Sequence, residues 1–403
     1  MWTVLLGENG RCKTSVLRAI AMAASGASRT HELADLASLH DRRGPQLLTI
    51  NASFAMPPDP RRVYPSLPAG ESPPPCLGSE LTMEPGLTSM RGNSWYFDGS
   101  LRARPAGEVL FDIRGGNLPH WFVAGYGTTR FLRVGLGEST GDPSVSRLAT
   151  LFDRGTIIGP GFADLLADPN GFSMMLRRAL IEAHVLPDDA SGIELRGRGG
   201  VRSAADLVEG SRFILSSAGR EMKVPATWLS QGYQSTIAWL ADLIGHVMLE
   251  NGGAVPLDQI RGLVLIDEID LHLHPAWQVR LVKTLRAALP NVQFVVTTHS
   301  PMILPSLGAS EIVVLDLDVE GNVIATEPGL SPMLLTASEI YRGFFGISGP
   351  YPTEIGEDYQ RYMFLVGNSA RTDDEDVELT TIRGKLRALG IDPGWEPVPR
   401  QAS

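Results

Sequence analysis

Short apolar runs alternate with helix-period stretches along this chain, and the first such pair stands at its start. Trp2–Leu6 reads as a buried strand, and Lys13–Ser25, with apolar Val16, Leu17, Ile20 and Met22 to Ala24, as a helix closed by Gly26. Gln46–Phe54 alternates as a further strand. Ala55–Gly86 is crowded with prolines, among them Pro57, Pro58, Pro60 and Pro73 to Pro75, and predicts an irregular surface insertion. β-like character returns at Trp95–Phe97, Glu108–Ile113 and Trp121–Ala124, the last ended by Gly125-Tyr126-Gly127. From Leu148 to Leu186 the period becomes helical, carried by Phe162, Leu165 and Leu166 and then by Met174 to Leu176, Leu180 and Ile181.

The second half holds clearer pairs. Thr236–Leu249 is an apolar helix, and strands Leu263–Ile266 and Val292–Val296 flank a helix at Ala276–Ala288. That order predicts a βαβ unit of a parallel sheet. Glu311–Asp316 adds a strand that turns through Glu320-Gly321-Asn322 into Val323–Thr326. Helices follow at Ser338–Phe345 and Asp373–Leu389, the second acidic in its first turn and basic in its last. The class is therefore α/β: a mixed or parallel sheet, an antiparallel β part, a helical lobe and a C-terminal helical tail. We divide it into a first lobe at 1–147 with a proline-rich insertion at 55–92, a helical lobe at 148–227, a second lobe at 228–330 and a tail at 331–403.

Composition narrows the partners more than the fold. The 403 residues carry a formal charge of −10, which opposes a whole-chain grip on nucleic acid and leaves DNA or RNA only a local basic patch. Arg196, Arg198 and Arg202 form one such cluster, read first as a solvated turn. No run has the length of a membrane span, residues 1–20 lack a secretory pattern, and Cys12 and Cys76 suggest neither disulfides nor zinc, so the chain reads as cytoplasmic.

Four stretches carry chemistry. Gly7 to Ser15 (Gly7, Glu8, Asn9, Gly10, Arg11, Cys12, Lys13, Thr14, Ser15) lies between strand and helix and fits G-x-x-x-x-G-K-[ST], with Cys12 in place of the second glycine. Backbone N–H groups and the helix N-terminus would wrap phosphates there, Lys13 would reach the β- and γ-phosphates, and the Thr14 hydroxyl would help hold Mg²⁺. Gly262–Glu268 is an apolar strand ending in two carboxylates, Asp267 for the metal and Glu268 as general base toward water. Trp228–Ser235 opens a helix with Ser230 and Gly232, and Val296–Pro301 sets His299 just past a strand, where it can donate to a γ-phosphate. His272 and His274 read as packed loop residues rather than metal ligands, and Asp316 and Asp318 as a surface hairpin rather than a nuclease site.

In this order the four stretches resemble the ATP-binding-cassette (ABC) ATPase core, in the soluble branch of chromosome-maintenance, RecN-like and OLD-like ATPases. LSQGYQS looks like the signature motif, GLVLIDE the Walker B strand, IDLHLHP the D-loop and TTHS the H-loop. DEIDLHLHPAWQ with FVVTTHSP is similar to AAA-family ATP-binding proteins of Septu- and retron-type anti-phage systems. The resemblance covers Trp2–Ser25 and Trp228–Leu304. It implies a Mg²⁺-dependent ATPase whose two copies sandwich two ATPs, with Ser230 and Gly232 of one copy meeting the γ-phosphate held by the other. It further implies a partner, a nuclease or other effector, in phage defence or DNA repair. A nucleotide-binding switch with little turnover and a transporter ATPase subunit are the alternatives.

Two departures stand out. Family heads carry strands before the P-loop strand, whereas Met1 adjoins it here, and no Q-loop glutamine is evident; Arg130 or Tyr126 in GYGTTR is expected to take over phosphate or base contacts. Cys12 adds a Cβ where backbone approaches phosphate, which costs strain if its φ is positive.

Overall fold

A computed structural model of the chain describes residues 1–34, 48–55, 76–84, 89–91, 94–96, 100–103, 122–130, 143–152, 168–194, 210–217, 219–347, 353–392, 394 and 397–399. The expected strand at Glu108–Ile113, the residues Phe162, Leu165 and Leu166, and the arginines 196, 198 and 202 lie outside them.

The described residues separate into two compact units, Met1–Met333 and Leu334–Ser403. In chain order the first contains strand β1 (Trp2–Leu6), helices α1 (Lys13–Ser25) and α2 (Ala27–Leu33), and strands β2 (Leu48–Ala55), β3 (Cys76–Glu84), β4 (Ser89–Arg91), β5 (Ser94–Tyr96), β6 (Ser100–Ala103) and β7 (Val123–Tyr126). Next come helices α3 (Pro143–Ser146) and α4 (Pro169–Arg177), then strands β8 (Ala190–Glu194), β9 (Arg212–Ser217) and β10 (Arg220–Pro225). Helix α5 (Gln231–Asn251), strand β11 (Gly262–Ile266), helix α6 (Pro275–Ala288) and strands β12 (Val292–Thr297), β13 (Ile312–Leu317) and β14 (Val323–Thr326) complete it.

Six strands form the central sheet in the order β14-β13-β1-β12-β11-β7. All pairings are parallel except that of β14 with β13. The continuous apolar runs of β1, β11 and β12 follow from burial on both faces: Val4, Val264 and Phe294 on one face and Leu5, Leu265 and Val295 on the other are all buried. At about 1.5–3 kcal/mol per buried side chain, these strands define the core. Trp2 stacks on Phe294 at 4.6 Å across β1 and β12. Helix α1 lays Leu17, Ala21 and Ala24 on Leu5, Val123, Leu265 and Val295. Because parallel strands point the same way, their C-terminal ends gather at one edge, where α/β folds place ligands.

Two small sheets differ from expectation. Cys76–Glu84 is not irregular: β3 pairs antiparallel with β2 and β6. The proline run stops at Pro75, and Ser79 and Leu81, two apart, are both buried, the period of a half-buried strand. Within 148–227 the structure adds β8, β9 and β10, an antiparallel sheet, to the helical segments.

Helix α5 carries a buried polar belt that faces β7. The Tyr126 hydroxyl donates to Asp242 at 3.0 Å, His246 Nε2 lies 3.5 Å from the same carboxylate, and Arg147 pairs with Glu250. Burial, with the Arg147 charge beside it, pushes the His246 pKa down to about 3, so this imidazole is neutral in the fold. Among the described residues no helix is long and apolar enough to cross a membrane.

The second unit has helices α7 (Ala337–Phe345), α8 (Thr353–Gly367) and α9 (Asp373–Ala388). Tyr362, Leu365 and Val366 pack on Leu379, Ile382 and Leu386. Thr372 and Glu375 form a capping box at the start of α9, whose acidic first turn and basic last turn match the helix dipole.

Candidate functional site

The loop between β1 and α1 bends where Gly7 leaves the sheet. A Cβ on Gly7 would meet the Leu315 carbonyl at 2.5 Å, so only glycine fits beside β13. Gly10 has a φ of 82° and Cys12 one of 57°, and Cys12 is the N-cap residue of α1 although it donates or accepts no capping side-chain bond. The left-handed conformation costs a residue with a Cβ about 1–2 kcal/mol, so the missing second glycine is a real local strain. Lys13 turns back over the loop, its Nζ donating to Gly7 O at 2.7 Å and Glu8 O at 2.9 Å. Burial lowers its pKa, opposed by the charges of Asp267 and Glu268. Arg11 pairs with Glu8 at 2.8 Å and lies 3.6 Å from Asp316.

The acidic pair stands opposite. Thr14 Oγ1 donates to Asp267 Oδ2 at 2.8 Å, joining residues 253 apart in sequence. Thr297, at the end of β12, donates to Asp267 Oδ1 at 2.6 Å and accepts from the Glu268 N–H at 2.7 Å. One hydroxyl thus fixes the carboxylate of one acid and the backbone of the other. Glu268 itself has a φ of 47°, a strained position for a non-glycine residue. His299 is exposed just beyond.

Asn9 to Ser15, Asp267, Glu268 and His299 line a single open cleft of about 300 Å³, so the loop, the acids and the histidine named from sequence meet in space. The first-turn N–H groups of α1 have no intrahelical acceptors and point at this cleft, which suits an anion. Thr14 and Asp267 supply two hard oxygens of the kind Mg²⁺ selects. An ion held by this pair would complete its coordination with phosphate oxygens and water.

Ser230 and Gly232 are not in that cleft. Exposed Ser230 is the N-cap of α5 and makes no capping side-chain bond. Gly232 is buried beneath the loop that follows β11: a Cβ there would meet the His272 carbonyl at 2.5 Å. Ser230, Tyr233, His272, His274 and Arg280 line a second cleft of about 540 Å³. His274 accepts from the Ala276 N–H through Nδ1 and so caps α6, His272 has a φ of 66°, and both are exposed on this cleft rather than packed within the chain. Asp316 and Asp318 bind backbone N–H groups of their own hairpin, and those bonds hold the Asp318 carboxyl below its usual range.

The expectation for Arg130 and Tyr126 is corrected. Both are buried; Tyr126 is spent on Asp242, and the Arg130 guanidinium points at backbone rather than into the cleft. The roles of Thr297 and of Thr298, whose hydroxyl donates to Asp270 at 2.5 Å, escaped the sequence reading, although both threonines stand beside the histidine it chose.

The central sheet, parallel but for β14, with a glycine-rich loop after β1 and an acidic pair after β11 two strands away, is the arrangement of a P-loop-type α/β fold, with an antiparallel β part and helices. Residues 150–304 match the family described as AAA domain, putative AbiEii toxin, Type IV TA system. The chain is 33% identical over 159 residues to Septu protein PtuA of Bacillus mycoides, which covers 39% of this chain and 22% of that protein. It is 46% identical over 85 residues to the Retron Ec83 probable ATPase of Escherichia coli, covering 21% and 16%. The aligned stretches therefore span less than a quarter of either relative. A crystal structure of an SMC head bound to the C-winged helix domain of ScpA is 15% identical, with a TM-score of 0.45, over 81% of this chain and 90% of that one.

Proposed function

We propose that the chain binds and hydrolyses ATP with Mg²⁺ as a head-to-head dimer and passes its nucleotide state to a partner, a nuclease or other effector, in phage defence or DNA repair in the cytoplasm. The observation that carries the ATPase reading is the wired set Thr14–Asp267–Thr297–Glu268, which brings a hydroxyl and two carboxylates into the cleft that Lys13 also lines. The defence reading is supported by the Septu and retron relatives.

In this reading the loop N–H groups and the Lys13 ammonium hold the β- and γ-phosphates. Thr14 and Asp267 hold Mg²⁺, which when bound neutralises charge on the phosphate oxygens. Glu268 orients the attacking water and takes its proton, and His299 hydrogen-bonds the γ-phosphate. Ser230 and Gly232 do not line the phosphate cleft, as expected if they serve the ATP of a second copy.

Steady-state ATPase and nucleotide-binding measurements on wild type and Glu268→Gln test the enzyme reading. Wild type is expected to turn over ATP, and the variant to bind it equally while losing on the order of 100-fold or more in kcat, as for loss of a general base. Binding without turnover by both proteins would instead establish the switch alternative.

A further inference from the structure

Arg130 is 2% exposed and follows β7, outside the phosphate cleft. Its Nη1 donates to Gly127 O at 2.7 Å and Asp267 O at 2.5 Å, its Nη2 to Glu268 O at 2.8 Å, and its Nε to Ser235 Oγ at 3.1 Å. The Asp267 and Glu268 carbonyls belong to the two peptide planes on either side of the Glu268 Cα. A single guanidinium therefore clamps both, while Thr297 holds the Glu268 N–H. This explains how Glu268 keeps a φ of 47° without the glycine such a position favours: its flanking peptides have no freedom to relax. The planar fork is what the arrangement needs, since three carbonyls and a hydroxyl are met from one rigid group, which a lysine ammonium cannot reproduce. Burial pulls the Arg130 pKa down to about 10, still far above neutrality, so the clamp stays charged.

The fourth bond gives the clamp a second end. Ser235 lies five residues after Ser230 on α5, the helix that carries the signature-like segment. We infer that Arg130 is a positioning residue that sets the backbone of Glu268 and ties it to α5 through Ser235, so that engagement at the Ser230 end of that helix is transmitted to the Glu268 carboxylate. The inference rests on the ATPase reading above and adds the internal link between its two separate clefts.

The test uses the full chain with three variants, Arg130→Lys, Arg130→Met and Ser235→Ala, each measured for ATP affinity, kcat and thermal melting. A displacement of about 1 Å at a catalytic group costs on the order of 100-fold in rate, so Arg130→Lys is expected to lose at least about tenfold in kcat and to keep ATP affinity within about threefold. Arg130→Met should lose more. Ser235→Ala, which cuts only the helix arm, should lower kcat about threefold or more with affinity and melting near wild type. Affinity and kcat falling together in the Arg130 variants would mark a purely structural role and overturn the inference. If the Arg130 variants fail to fold, wild-type kcat in Ser235→Ala overturns the link by itself, and a lowered kcat supports it. A wild-type protein that neither binds nor hydrolyses ATP refutes the underlying reading together with the inference, an outcome distinct from active wild type with equally active variants.

Discussion

The cleft around Lys13 and the face around Ser230 are made from the same parts, a helix N-terminus with glycine and small hydroxyls beside it, yet they differ in what satisfies those parts. In the cleft the central groups are tied within the chain: Lys13 to Gly7 and Glu8, Thr14 to Asp267, Asp267 to Thr297. On the Ser230 face the glycine is locked under His272, but the serine is exposed and caps nothing. An internally wired cleft is arranged before any ligand arrives, whereas the Ser230 hydroxyl faces outward from a fixed helix end. In the proposed dimer the two regions would be the two halves of a composite site, with Arg130 bonded toward both.

The sharpest way to break this comparison is to damage the outward half alone. Ser230→Arg puts a bulky cation where the second copy's phosphates are expected, and kcat should fall about 100-fold or more while ATP affinity stays near wild type. An equal loss of affinity would place Ser230 in the cleft of its own chain. Damage to the wired half should show the opposite pattern: Lys13→Ala is expected to weaken ATP binding about 10- to 100-fold, the range for lost charge-assisted hydrogen bonds. Calorimetric titration with ATP measures it.

The buried belt on α5 predicts a pH effect that belongs to the fold rather than to either cleft. His246 has a folded pKa near 3 against about 6.5 unfolded, so its contribution to stability is complete above 6.5 and is lost as pH falls toward 3. Across that window this one group makes stability fall by up to about 1.4 kcal/mol per pH unit, and His246→Gln should flatten the slope in denaturant melts at pH 7 and pH 5. An unchanged slope would show that His246 is protonated within the fold. Smallest in size is the effect of Cys12→Gly: relief of the left-handed strain should stabilise the cleft loop by about 1 kcal/mol in the same melts, with ATP affinity equal or higher. Loss of affinity would give the Cys12 side chain a part in binding.

Much of this organisation was legible in the sequence because its signals are local. Apolar runs gave β1, β11, β12 and β13, and the residues of the cleft sit at the ends of those runs, where a parallel sheet must gather them. Arg130 was legible only as an arginine in a turn, since its partners are backbone carbonyls 137 and 138 residues away and carbonyls leave no mark in a sequence. Thr297 was hidden for a similar reason: a strand threonine is common, and only the register of β12 against β11 brings it to Asp267. β3 was obscured by the prolines before it. Helix α8 did carry a readable period, Ile355, Tyr359, Tyr362, Met363 and Val366, interrupted by Gly356.

Mixing two inactive proteins tests the composite site most directly. Lys13→Ala has a damaged cleft and an intact Ser230 face, and Ser230→Arg the reverse, so a mixed dimer restores one complete site. Equal mixing makes half the dimers mixed, each with one of two sites, and ATPase activity should recover to roughly a quarter of wild type. Activity no higher than the sum of the separate variants, with both shown to associate, would contradict the composite site.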